Sequence, residues 1–127
     1  MANFEIITNN PLAFEKYRDI ACFFDTDVGG MFLHGRDRVH LGAKLINHPL
    51  SGSVKPNESP YKSLVLSNEN GMVDFVSLKL IESAWDTLKK LPEKKLKLNG
   101  KIRLDFQVID LDLLDSAIQA LPADYHF

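Results

Sequence analysis

The chain is poor in cysteine, and Cys22 stands alone. A lone thiol excludes an internal disulfide and a cysteine-built zinc site. Long apolar runs are missing as well. The longest unbroken one is Ile20–Phe24, far too short for a membrane span or a signal-peptide core, and no basic region opens the chain. A cytoplasmic protein with no membrane association is expected. Neither charge dominates: 15 Lys and Arg face 17 Asp and Glu, for a formal net charge of -2. That balance argues against a dedicated nucleic-acid coat. There is no Gly-x4-Gly-Lys-Ser/Thr phosphate loop, and His34, His40 and His48 lack the i,i+4 spacing of strong zinc motifs. No metal and no cofactor are expected.

What is present describes a single α/β domain over residues 1–127, since 127 residues with 45% hydrophobic side chains can bury a proper core. Strands are expected near 3–8, 20–25, 44–47 and 62–67, the second being the apolar run around Cys22, which predicts an inert core thiol. Helices are expected near 11–18, 31–41, 74–91 and 111–121. Asn10-Pro11 reads as a cap followed by a first-turn proline. Leu78, Ile81, Trp85 and Leu88 form an apolar stripe, which makes Trp85 a core residue. Gly35 weakens the second helix, at a cost of about 1 kcal/mol relative to Ala. Asn99-Gly100 reads as a turn in a lysine-rich connection. The stretch Asp105–Ile109 suits a fifth strand or an extension of the last helix. The fold expected is a small, mainly parallel sheet of four to five strands covered by helices, with Rossmann-like layering.

The middle of the chain is unlike the rest. His48–Tyr61 holds three prolines, a glycine and several hydroxyls, and a loop this long within a compact domain is often functional. Ser51, Gly52, Ser53, Lys55 and Asn57, with Lys62 after them, mix backbone donors, hydroxyls and ammonium groups. That is the chemistry of an anion cradle: glycine admits the ligand, hydroxyls and amides donate, lysine neutralises. A rigid surface loop satisfying its own backbone has much the same composition. Arg36 and His40 are four residues apart and share a helical face. Asn9 and Asn10 end the first strand, where an open α/β sheet places its ligands. The candidate ligand-binding residues are therefore Asn9, Asn10, Arg36, His48, Ser51, Gly52, Ser53, Lys55, Asn57 and Lys62. His40 and His48 are the candidate acid-base groups should the protein be an enzyme. No nucleophile with an activating base is legible. Asp25 and Asp27 suit turn formation more than metal binding. Two charge asymmetries read as solvated surface: seven lysines against three acids over 79–101, and five aspartates with no Lys or Arg from Asp105 onward.

Three blocks carry a family resemblance: Ile7-Thr8-Asn9-Asn10-Pro11-Leu12, Arg36-Asp37-Arg38-Val39-His40-Leu41-Gly42, and the long run from Leu45 to Ser63. Together with Asp105-Phe106-Gln107-Val108-Ile109-Asp110 they resemble the GrdX family. These are small cytoplasmic proteins encoded among the components of glycine, sarcosine and betaine reductase in amino-acid-fermenting anaerobes. The resemblance implies an accessory role, with a reductase component or a small anionic metabolite as partner. It transfers no catalytic or binding residue. A small enzyme acting on a phosphorylated or carboxylated substrate is the alternative, and a homodimer is compatible with a domain of this kind.

Overall fold

A computed structural model describes residues 3–51, 55–92 and 98–125. Strand β1 (Phe4–Thr8) leads to helix α1 (Pro11–Lys16) and strand β2 (Ala21–Phe23). Helix α2 (Val28–His40) and a long connection precede strand β3 (Ser63–Ser67). Helices α3 (Phe75–Lys90) and α4 (Gly100–Gln119) follow, then a 3-10 turn at Ala123–Tyr125. Each helix starts on a side-chain cap. Asn10 Oδ1 accepts from Leu12 N–H, Asp27 from Gly30, Asp74 from Ser77 and Asn99 from Ile102.

The sheet has three strands in the order β2-β1-β3 and is mixed. This corrects the expected four to five mainly parallel strands. β1 and β2 are parallel, with Ile7 opposite Cys22, as the α1 crossover requires. β1 and β3 are antiparallel, with Ile6 opposite Val65. The expected strand at 44–47 explains the reversal. It lies along the outer edge of β3, antiparallel to it and therefore in the direction of β1, but it forms only the bridge Leu45–Leu66. Ser67 N–H donates to Lys44 O and Ile46 N–H to Val65 O, both at 2.8 Å. Asn47 then replaces backbone with side chain: its Oδ1 accepts from Val65 N–H at 2.8 Å and its amide donates to Ser63 O at 3.2 Å. The crossover through α2 thus returns the chain in the parallel sense, and the 48–62 connection turns it back into β3.

Of the two alternatives for Asp105–Ile109 the structure shows the extension of the last helix, and the second correction concerns Asn99-Gly100. Asn99 caps at Gly100, so the pair read as a turn is the start of α4.

Helices cover both faces of the sheet, the layering expected of an α/β domain. Ile7, Leu64 and Leu66 pack with Met31, Phe32 and Val39 of α2 and with Ile81 and Ala84 of α3. Ile6 and Val65 point the other way, against Ala13 of α1 and Leu114 of α4. The alternation along β1 and β3 follows from the two-residue period of a strand. Trp85 and Cys22 are partly buried against the first cluster. Two glycines set close approaches. A Cβ on Gly35 would stand 2.8 Å from Leu64 Cδ1 and 3.3 Å from Ile81 Cδ1, so α2 lies hard on β3 and α3. Gly42 has φ +109, and a Cβ there would meet the Gly71 nitrogen at 2.4 Å.

Candidate functional site

The site is built from the end of β1 outward. Thr8, Asn9 and Asn10 are buried where the strand meets α1. Asn9 holds the loop: its amide donates to Thr26 O at 2.8 Å and Pro60 O at 2.9 Å, and its Oδ1 accepts from Lys62 N–H at 2.8 Å. Asn10 holds α4: its amide donates to Gln107 O at 2.9 Å and Asp110 Oδ2 at 3.0 Å, while its Oδ1 caps α1. Both side chains spend their donors and an acceptor on the protein itself, which places them behind the site as positioning residues.

Asp110 is the centre of this arrangement. It is buried, 6% exposed, and among the described residues no other charged side chain is buried to that degree. Ser63 donates to it twice, from N–H to Oδ1 at 3.2 Å and from the hydroxyl to Oδ2 at 2.6 Å. Because Ser63 gives its one hydroxyl proton to Asp110, Thr8 Oγ1 must donate to Ser63 Oγ, 2.7 Å away. Thr8 Oγ1 in turn accepts from Asn10 N–H at 3.0 Å. Three donors thus converge on the two carboxylate oxygens. One directed network therefore ties β1, β3, α1 and α4 together.

A small cleft opens beside this network. Ser51, Lys55, Ser59, Tyr61, Lys62 and Asp110 contribute its polar wall, and Pro56, Ile109 and Leu113 the rest. It encloses about 20 Å3, room for one water-sized group rather than a nucleotide or sugar. Among the described residues neither the Lys55 nor the Lys62 ammonium forms an ion pair. Burial pulls the Lys62 pKa below its usual 10.5, and the nearby Asp110 charge opposes that pull. Gln107 Nε2 donates to the Tyr61 hydroxyl at 2.9 Å and fixes the ring at the rim.

Of the residues singled out from the sequence, the structure brings Ser51, Lys55 and Lys62 together at the cleft. Gly52 and Ser53 lie outside the described residues. Asn57 faces a separate, broader groove between α2 and α3, where its amide donates to Pro92 O at 3.0 Å. His48 is exposed, and its Nδ1 accepts from Leu50 N–H at 3.1 Å, a turn-forming role. His40 is exposed at the last position of α2. Arg36 is half-buried on the same helix, its Nε without a hydrogen-bond partner among the described residues, and it lines neither the cleft nor the groove. Among the described residues no three His, Cys, Asp or Glu side chains are grouped to hold a metal ion.

Sequence reasoning passed over Asp110, Ser63 and Ser59 as candidate site residues. For Asp110 a signal existed. It sits on the stripe Asp110, Leu114, Ala117 and Leu121, at the i, i+4, i+7, i+11 spacing of a buried helical face. A carboxylate on such a stripe needs partners.

No curated protein and no solved structure matches the chain significantly. The family model described as GrdX-like protein matches residues 5–119. That span runs from the second residue of β1 through the network, the cleft and all of α4, so the chain belongs to the GrdX-like protein family.

Proposed function

We propose that the protein is a cytoplasmic accessory component of the glycine, sarcosine and betaine reductase system. It binds a carboxylate or similar oxyanion group at the Lys55–Lys62 cleft and does not turn it over. The group belongs either to a small metabolite or to an acidic end of a reductase component. The observation that carries this reading is a pair of lysines that, among the described residues, have no ion-pair partner, set beside the hydroxyls of Ser51, Ser59 and Tyr61 in one small cleft. The Asp110 carboxylate in the same wall accepts from Ser63 and Asn10, and the two ammonium groups outnumber it, so the wall offers an anion charge and directed hydrogen bonds. The cleft has room for one water-sized group, so a single oxygen of an acidic group enters it and the rest of the ligand stays outside. Among the described residues no histidine lines it, and the wall holds no activated nucleophile, which favours binding over catalysis. The reductase context rests on family membership.

The test is capture by immobilised reductase components, with and without competing acetate or phosphate. Capture by one component that is lost in a Lys55→Ala, Lys62→Met double variant supports the reading. Loss on adding acetate or phosphate assigns the cleft to the contact itself. Capture equal in the wild type and the double variant contradicts the cleft as the contact.

A further inference from the structure

Four large apolar side chains stand in solvent at one end of the molecule. Met72 is 93% exposed, Phe75 78%, Val76 69% and Leu41 66%. They are neighbours. Gly71 N–H donates to Leu41 O at 2.8 Å, which sets Met72 beside the end of α2. Phe75 and Val76 form the first turn of α3 immediately after it. The inward positions of that helix are already filled by Ser77 and Ile81, so the fold has no use for the outward pair. Single exposed apolar residues are ordinary on a protein surface. Four together, offering roughly 500 Å2, mark a surface that is covered in use.

The rim indicates what covers it. Lys44 pairs with Glu69 at 3.7 Å. Lys44 also lies close enough to Asp74 to help hold that carboxyl below its usual range, after the hydrogen bonds from Ser77. Lys79 follows Phe75 by four residues and shares its helical face. Two acids and two bases thus lie in or beside the segments that carry the four apolar side chains. A nucleic acid would require a basic rim, and a strongly charged peptide a rim of the opposite sign. A neutral rim of both signs is complementary to itself, the condition for a two-fold interface in which the same patch serves both partners. The net charge of -2 adds little repulsion between copies. The apolar centre with its rim approaches the roughly 800 Å2 per partner of a standard interface. We propose that the Leu41, Met72, Phe75 and Val76 patch is the interface between two copies of this chain.

The test is sedimentation equilibrium of the full chain across the micromolar range. Beside the wild type stand a Met72→Glu, Phe75→Glu variant and an Ile102→Glu, Leu104→Glu control on α4, a separate exposed apolar stretch. Met72 and Phe75 are largely in solvent and Leu104 and Ile102 partly so, and circular dichroism with the thermal midpoint of each variant checks that its fold is intact. The expected result is a wild-type mass of twice the 14.3 kDa chain, a patch variant whose dissociation constant rises by more than roughly tenfold, and a control that still dimerises. A wild type that stays monomeric throughout overturns the proposal. So does a dimer that survives the patch substitutions or is lost only in the α4 control.

Discussion

Asp110 shows how one side chain joins fold and site. Its carboxylate receives the Ser63 amide, the Ser63 hydroxyl and the Asn10 amide, and it lies beside the Lys62 charge. Removing it strands three buried donors and leaves Lys62 without the one charge that offsets its burial. Asp110→Ala is expected to cost about 3 kcal/mol, since each unsatisfied buried group costs about 1–3 kcal/mol. Urea denaturation with an unchanged m-value checks this, and a loss under about 1 kcal/mol would mean the network contributes little. Lys62 obeys a different sign. The unfolded chain holds the Lys62 proton up to the usual 10.5, while the folded chain releases it at lower pH. Between those two values the unfolded state binds more protons, so this residue makes stability rise with pH. An anion in the cleft needs the ammonium, so its affinity falls as pH rises through the lowered folded value. At this scale the sequence displayed the cleft's lysines and Ser51 as chemistry. It hid Asn9 and Asn10 behind the site, because an asparagine that binds a ligand and one that binds a loop are the same letter. His48 was legible as a loop residue, but its hydrogen bond to Leu50 is set by local backbone geometry.

Among the elements, the helices were the more legible. Asn10-Pro11 was legible as a cap and first turn, and α1, α2 and α3 fall close to their expected positions. The sheet was less so. Leu45 and Ile46 have strand character, yet Asn47 ends the pairing by offering its side-chain amide to β3, and nothing in its neighbours forecasts that exchange. The α4 start was obscured because Asn-Gly serves turns and caps alike. Gly35 gains its reason only from packing. In an isolated helix Gly35→Ala would stabilise by about 1 kcal/mol. Here the added methyl meets Leu64 and Ile81 in a closed core, and a net loss of about 1–2 kcal/mol is expected. A thermal midpoint lowered by several degrees would agree. A raised midpoint would mean that α2 can shift off the sheet at little cost. At the other side of the sheet, Asp115 joins α4 to Lys16 at the end of α1 and to Tyr17, which caps it. Burial pushes its carboxyl up, but the Lys16 and Tyr17 hydrogen bonds outweigh that and hold it below the usual range. This contact therefore supports the fold above the ordinary carboxylate range and weakens as the acid is titrated.

As a whole, the molecule is an α/β sandwich with two separate apolar layers and a polar seam at one end of β1. The layering followed from the order of elements and from apolar alternation. The direction of β3 did not, because it depends on a connection whose composition says only that it is irregular. Among the described residues no helix is long and apolar enough to cross a membrane. The exposed patch at the start of α3 was also illegible, because apolar residues at helix positions read as core until the fold shows which face is covered. The cleft and the patch are built from different residues, so binding and self-association can be separated by substitution.

The most direct test of the binding account is isothermal titration of acetate and of phosphate into the purified protein and its Lys62→Met variant, at neutral pH and again just below the usual lysine range. The account predicts saturable binding by the wild type at neutral pH, weakening at the higher pH, and no binding by the variant with its fold intact. Absence of binding to either anion by the wild type, or equal binding by the variant, would contradict it.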